Sequence, residues 1–178
     1  MVYFWFLLID VPLSLLRGLI ALLGPLVVSI ALPFARDNHL PKWASWWDNP
    51  DYGVTGNHSY LTIKDYNPML KYAGLWPSNW YWLVIRNPAN GLAVSKLFSV
   101  VQSECDYIKH IGAGNVDNSF PGWQFVFARK KFRFYTGFYY FVGKGEYRIG
   151  FKLKAGEPAR SRPVGMTAII NPFKRYRL

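Results

Sequence analysis

Cysteine and charged residues are scarce in this chain. Cys105 is the single cysteine among 178 residues, so neither an internal disulfide nor a cysteine-based metal site can form. Stability must therefore come from burial, and the lack of disulfides is typical of a reducing compartment. Charged residues make up only 17% of the chain, against roughly 25% in soluble domains. An apolar N-terminus and many aromatic residues account for the deficit, and aromatic side chains gather in cores, at interfaces and at bilayer boundaries.

Catalytic and ligand-binding motifs are also absent. The sequence contains no HExxH, Walker A, GxSxG or dinucleotide-binding pattern, and its three histidines lack metal-ligand spacing. Cys105 and His110 lie five residues apart, but closeness in sequence says little about a catalytic dyad, and an inert buried cysteine is the favoured interpretation. The sequence therefore predicts no catalytic residue, no metal site, no cofactor and a protein that is not an enzyme.

Acidic residues are few in the C-terminal part of the chain. Residues 1–106 hold seven basic and seven acidic residues, whereas residues 107–178 hold fourteen basic and three acidic ones. The second part thus carries the whole net charge of +11. This asymmetry indicates a polyanionic partner, either nucleic acid or the anionic face of a membrane, with solubility alone as the alternative interpretation.

The N-terminus has a long segment without charge. Residues 18–35 are apolar and uncharged, and as a helix they would span about 27 Å, close to the hydrocarbon thickness of a bilayer. A cleaved signal peptide begins with a basic region, but no basic residue precedes Arg17 in this sequence. We expect a membrane anchor, in the simplest form a single span over residues 15–34 kinked at Pro25. The alternative is a re-entrant or interfacial hairpin of two short helices.

Aromatic and basic residues flank this segment as interface markers. Basic residues follow the span at Arg36 and Lys42 and none precedes it before Arg17, which predicts that the C-terminal side is cytoplasmic. Arg17 lies on the same helical face as Asp10 and is expected to reach the interface. The predicted membrane-interface residues are Tyr3, Trp5, Arg17, Trp43, Trp46 and Trp47.

Strand patterns dominate the C-terminal half. Apolar and aromatic runs at residues 122–128, 131–141, 146–154 and 166–170 predict an antiparallel meander. Residues 80–85 are interpreted as a strand or a lipid-contacting surface, residues 68–75 as a short helix, and residues 92–103 remain ambiguous. The predicted fold class is α+β, an N-terminal membrane helix followed by a small antiparallel β-rich domain. Its segments are a membrane anchor (1–36), a turn-rich Trp-containing juxtamembrane segment (37–67) and a basic, aromatic, β-rich domain (68–178).

A basic face is predicted on the third of these runs. Tyr147, Ile149, Phe151 and Leu153 alternate with polar residues, so Arg148, Lys152 and Lys154 are expected to point together into solvent. The neighbouring turn adds further cations. The polyanion-binding candidates are Arg129, Lys130, Lys131, Arg133, Arg148, Lys152 and Lys154.

Several short phrases carry a resemblance. They are WWDN (46–49), RNPANGL (86–92), GWQF (122–125), IGFKL (149–153) and NPF (171–173). In these phrases the chain resembles a group of small tailed-phage proteins of unknown function with an apolar N-terminus. The resemblance implies a phage origin and the host cell membrane, and it implies no catalytic residues.

The leading functional hypothesis is a phage-encoded, membrane-anchored binding protein at the host bacterial inner membrane, with its basic domain in the cytoplasm. Its expected partners are membrane lipid and another protein or virion subunit, with nucleic acid as a further alternative. The rival hypothesis is a structural virion component that acts in subunit contact or genome delivery. An enzyme acting on lipid or nucleic acid is the least favoured.

Overall fold

The structure, a computed structural model of the chain, describes residues 1–56, 76–113, 121–141, 144–154 and 161–175. The chain divides into two compact units: unit 1 contains Met1–Gly18 and Val94–Leu178, and unit 2 contains Leu19–Ala93. These boundaries differ from those of the three predicted segments, because the first part of the apolar N-terminus belongs to the same unit as the strands. The short helix predicted over residues 68–75 lies outside the described residues.

Helix α1 runs from Val2 to Leu22 and is long and apolar enough, at 21 residues and a mean hydropathy of 1.8, to serve as a membrane anchor or signal sequence. It is α-helical at Val2–Trp5 and Val11–Leu22, and π-helical at Phe6–Asp10 between them. The predicted span over residues 15–34 is interrupted at Leu23, which precedes helix α2 at Gly24–Ala31. Pro25 explains the break, since a residue without an amide hydrogen fits the first turn of a new helix but not a helix interior.

The other helical elements of unit 2 are short. Within the described residues they are a 3₁₀ turn at Leu32–Phe34, a 3₁₀ helix at Lys42–Trp47, helix α3 at Trp76–Tyr81 with a π-helical continuation at Trp82–Arg86, and helix α4 at Asn90–Ala93. The prediction of a strand over residues 80–85 is therefore wrong. A short apolar run has no periodicity that separates a buried strand from a buried helical turn, and here Trp82, Leu83 and Val84 are buried as a helical segment.

Among the described residues, six strands form one sheet in the order β1-β6-β5-β4-β3-β2, in which every neighbouring pair is antiparallel. Strands β2 to β6 thus form the expected meander, β1 pairs with β6 at the opposite edge, and the α+β class is confirmed. The strands are β1 Ser99–Val101, β2 Tyr107–Gly112, β3 Gly122–Lys130, β4 Arg133–Phe141, β5 Lys144–Phe151 and β6 Pro163–Arg175.

The β3–β4 hairpin closes with a two-residue turn. Lys130 pairs with Arg133 in the ladder, so Lys131 and Phe132 form the tip. Lys131 adopts a positive φ of 56°, as tight hairpin turns with the twist of the strands require. Phe132, which follows it, is 90% exposed and packs into no core.

The loop region of unit 2 is ordered by its own side chains. Asn38 Oδ1 accepts hydrogen bonds from the amide and hydroxyl of Thr55, and Asn49 Oδ1 accepts from the amides of Asp51 and Tyr52. Asp48 Oδ1 accepts from the Asn49 amide, and its Oδ2 lies 2.8 Å from His39 Nδ1. The Asp and Asn residues of this loop therefore cap backbone groups in turns.

Candidate functional site

Helix α1 buries polar side chains and exposes most of its leucines. Asp10 and Ser14 have no exposed surface, and Arg17 is 6% exposed. These residues are spaced by four and three positions, so they lie along one face of the helix. A surface helix of a globular protein shows the reverse arrangement, with its apolar stripe turned toward the core. We call Asp10, Ser14 and Arg17 the polar stripe.

Asp10 joins the helix to strand β4. Its Oδ2 accepts hydrogen bonds from the backbone amide of Thr136, at 2.9 Å, and from the hydroxyl of the same residue, at 2.6 Å. Its Oδ1 lies 3.6 Å from Nη2 of Arg133, at the start of the strand. A buried carboxylate is costly unless it is paired and hydrogen-bonded, and Thr136 and Arg133 supply those contacts. The regular β4–β5 pairing ends at Gly137 and Gly150, next to this point.

Ser14 joins the helix to strand β5. Its Oγ donates to the Asp10 carbonyl oxygen at 2.6 Å and accepts a hydrogen bond from the Gly150 amide at 3.0 Å. Gly150 has a φ of +98°, and a Cβ there would lie 2.2 Å from the carbonyl oxygen of Thr136. Only glycine fits at this position without strain, because it lacks a Cβ and tolerates positive φ.

Apolar contacts extend the association at both ends of the helix. The ring of Tyr3 stacks on Phe125 of β3 with centroids 5.4 Å apart, and Phe6 meets the same ring edge-on at 5.2 Å. At the other end, a Cβ on Gly18 would lie 3.6 Å from Cβ of Ala168 in β6. Successive residues of the helix thus contact β3, β4, β5 and β6 in turn, so α1 crosses four strands on one face of the sheet.

The outward face of α1 is apolar along its whole course in unit 1. Leu7 is 60% exposed and Leu8 62%, and no charged side chain lies among them. Contiguous apolar surface of this kind is rare on monomeric soluble proteins and marks a contact with another protein or with lipid. The exposed large side chains of this face are Phe4, Leu7, Leu8, Leu15 and Leu16. We call this set the outward face.

The predicted membrane-interface residues have unequal positions. Tyr3 is exposed although its ring packs on Phe125, Trp5 is half-buried, and Trp43 and Trp46 are exposed in unit 2. Arg17 does not reach an interface, because it lies buried on the sheet side of the helix; this prediction is corrected. Trp47 is also buried: its Nε1 donates to the Ile20 carbonyl oxygen at 3.3 Å, and its ring lies against Gly24.

The basic candidates near the β3–β4 hairpin come together in space, and several have partners. Arg129 lies 3.9 Å from Asp106, and Lys130 donates a hydrogen bond to Glu104 that raises the pKa of the Lys130 amine. Arg133 is turned toward Asp10, and Lys131 is exposed at the tip. Of these four cations Arg129 and Lys131 are exposed, and Lys131 adjoins the exposed Phe132 at the tip.

The predicted basic face on β5 is wrong for Arg148. Its Nε lies 2.7 Å from the buried Glu146, and its guanidinium stacks over Phe141 at 4.6 Å, with 19% of the side chain exposed. Phe151 and Leu153 are buried as expected, and Lys152 is exposed and Lys154 half-exposed. Tyr147 and Ile149 are only half-buried, whereas Glu146 on the alternating face is buried, so the predicted division into a buried apolar face and a wet basic face does not describe the whole of β5.

No group of three or more potential metal ligands occurs within the described ranges. The Cys105 thiol donates to the Val101 carbonyl oxygen at 3.6 Å, and burial raises its pKa above the ordinary value. A thiol with a raised pKa is a weaker nucleophile at neutral pH. The polar stripe, rather than a catalytic cluster, is the feature of unit 1 that calls for a functional account.

The chain belongs to a family of unknown function, DUF7338, whose model matches residues 1–178. No curated protein and no solved structure matches it.

The central site residues escape prediction from sequence. Ser14, Thr136 and Gly150 carry no motif, and Thr136 lies 126 residues from its partner Asp10. The one available signal is the spacing of Asp10, Ser14 and Arg17, which places three polar residues on one face of an otherwise apolar helix.

Proposed function

We propose that the chain is a membrane-associated binding protein, held at a bilayer by the outward face of α1 and presenting its basic, strand-rich domain to an anionic partner. One observation carries the proposal: α1 hydrogen-bonds to the sheet through its polar stripe while its leucines remain exposed. The hydrophobic effect would not leave this arrangement facing water.

The outward face is large enough to matter energetically. A fully buried leucine or aromatic side chain contributes about 1.5–3 kcal/mol relative to water. The five side chains of the outward face are each roughly half exposed, so their transfer into lipid would contribute on the order of 5 kcal/mol. Basic residues near an anionic surface add roughly 1 kcal/mol each. Together these terms favour a bilayer over an aqueous surrounding.

The proposed setting follows from the resemblance and from charge. A phage protein of this kind would act at the host inner membrane, with its basic domain on the cytoplasmic side, where anionic lipids attract it. The exposed Arg36 and Lys42, which follow the apolar segment, support the same side. A reporter active only in the cytoplasm, fused after Leu178, should be active; activity of a periplasmic reporter at the same position would contradict this orientation.

The membrane proposal is tested by flotation of the full chain, produced alone in bacterial cells. The parent should float with membranes after a high-salt wash, which separates it from aggregates and from weakly adsorbed protein. Leu7→Gln, Leu8→Gln and Leu15→Gln combined should move it out of the floating fraction, because these side chains face away from the sheet. Leu97→Gln, an exposed leucine outside α1, is the matched control and should change little.

Substitution is a sharper test than deletion of residues 1–35, because deletion would also remove the partners of Thr136 and Gly150.

The rival function, a structural virion component, predicts a different result. In that case the protein made alone would fail to float and would be found in purified virions, where other subunits cover the outward face. A signal only in virions would overturn the membrane proposal.

A further inference from the structure

A row of four large apolar side chains, three exposed and one half-buried, crosses the sheet beside α1. The strand register places Trp123 of β3 opposite Tyr140 of β4, Tyr140 opposite Tyr147 of β5, and Tyr147 opposite Ile170 of β6. Directly paired residues point to the same face of a sheet. Trp123 is 45% exposed, Tyr140 36% and Ile170 65%, and the rings of Tyr140 and Tyr147 are in contact at 5.9 Å. We call these four residues the aromatic row.

The aromatic row lies on the face that carries α1. Trp123 is two residues from Phe125, and residues two apart on a strand share a face. Phe125 is the residue on which Tyr3 and Phe6 of α1 pack. The outward face of the helix and the aromatic row therefore border the same side of unit 1.

The heights of these two surfaces match the layers of a bilayer interface. A helix with its side chains is about 10–12 Å across, so the outward face protrudes beyond the row that lies directly on the sheet. Helices that lie in the plane of a membrane sink about 5–10 Å into the boundary between headgroups and acyl chains. Tyrosine and tryptophan prefer the headgroup level above it.

Cations are present on the same face. Lys109 of β2 pairs with Phe127, which shares the face of Phe125, and Lys109 lies over the ring of Tyr107 at 5.3 Å. Lys109 and Arg129 are both exposed. An apolar helix, an aromatic row and exposed cations on one face complement the acyl, interfacial and headgroup layers of an anionic bilayer.

We propose that the α1-bearing face of the sheet is itself a lipid-docking surface, so that α1 lies in the plane of an anionic bilayer and the aromatic row sits at headgroup level. This inference rests on the proposed function and adds the orientation and a second lipid contact. It differs from a span, in which α1 would cross the bilayer without the sheet.

The test uses the full chain carrying Cys105→Ser, added to vesicles of phosphatidylethanolamine and phosphatidylglycerol. A single cysteine is introduced as Tyr140→Cys in the row, or as His110→Cys as the control, and labelled with an environment-sensitive dye. His110 is exposed and pairs with Val126, one position from Phe125, so it points to the opposite face. Nitroxide-bearing lipids should quench the dye at 140 and leave the dye at 110 unaffected, while flotation shows that both proteins are bound.

Three results would overturn the inference. If the protein binds vesicles but the dye at 140 is not quenched, the docking face is contradicted and the membrane proposal is not. Equal quenching at both positions would contradict docking by one face. A blue shift at 140 without vesicles, together with a dimer mass by light scattering, would show that a second copy covers the row. Failure of the parent to float would refute the membrane proposal itself.

A substitution provides an independent readout. Trp123→Ser and Ile170→Ser combined should weaken partitioning onto these vesicles about tenfold or more, since two half-exposed apolar side chains lose their lipid contact. Neither side chain belongs to the buried core, so folding should be preserved, and circular dichroism checks this. Unchanged partitioning of the folded variant would overturn the role of the row.

Discussion

Replacing Asp10 by leucine distinguishes a helix α1 that packs on the sheet from one that spans a bilayer alone. The substitution should be unfavourable in the first case and favourable in the second. In the structure, Asp10→Leu would leave the buried amide and hydroxyl of Thr136 without an acceptor and remove the carboxylate beside Arg133. An unsatisfied buried donor costs about 1–3 kcal/mol, so the expected loss in the free energy of unfolding is about 3 kcal/mol. If α1 instead spanned a bilayer alone, loss of a central aspartate would favour insertion by roughly 2.5–3.5 kcal/mol.

The assay is urea unfolding of the full chain in a mild non-ionic detergent. Asp10→Asn, which keeps one side-chain oxygen, should lose less stability than Asp10→Leu. Thr136→Val removes the hydroxyl alone, and its effect should be non-additive with that of Asp10→Leu, because both substitutions remove one shared hydrogen bond. Leu8→Ala on the outward face should change stability by less than about 0.5 kcal/mol. A more stable Asp10→Leu variant would refute the binding of the polar stripe to the sheet.

Two further predictions follow from the same face of the sheet. Gly150→Ala should cost more than about 2 kcal/mol in the same assay, because its Cβ would lie 2.2 Å from the Thr136 carbonyl oxygen at positive φ, whereas a parent-like stability would contradict that geometry. Lys131→Gln combined with Arg129→Gln should weaken binding to anionic vesicles at low salt and have little effect at high salt, as measured by sedimentation; equal loss at both salt concentrations would point to a structural defect instead.

The strands were predictable where alternation is local. The hairpin of β3 and β4 and the burial of Phe151 and Leu153 follow from the apolar pattern along the chain. The position of Arg148 was not predictable, since an arginine in an alternating strand looks solvent-facing until Glu146 and Phe141 are known to be its neighbours. Its ion pair and ring contact depend on tertiary structure.

The N-terminus shows a different limit. Length and hydropathy identify an apolar helix but do not show whether the helix crosses a membrane or lies on a sheet. The spacing of Asp10 and Arg17 was visible, and an interfacial role for Arg17 is the usual interpretation of such an arginine. The burial of Arg17 depends instead on the backbone amides of Thr136 and Gly150, which bind Asp10 and Ser14 and lie where the regular β4–β5 pairing ends, a point that the sequence does not reveal.

The polar stripe also accounts for how a helix can bind a sheet at a lipid surface. In water, burial of leucines would drive α1 onto the sheet in many rotations about its axis. Beside lipid that drive disappears, since acyl chains are as apolar as leucine, and helix association then depends on hydrogen bonds and close contacts. Asp10 and Ser14 supply those hydrogen bonds in a site of low dielectric, where each bond is electrostatically stronger than in water. Any other rotation of the helix would leave the amides of Thr136 and Gly150 unpaired. The hydrogen bonds therefore select the one rotation in which Leu7, Leu8 and their neighbours face away from the sheet, toward the proposed membrane.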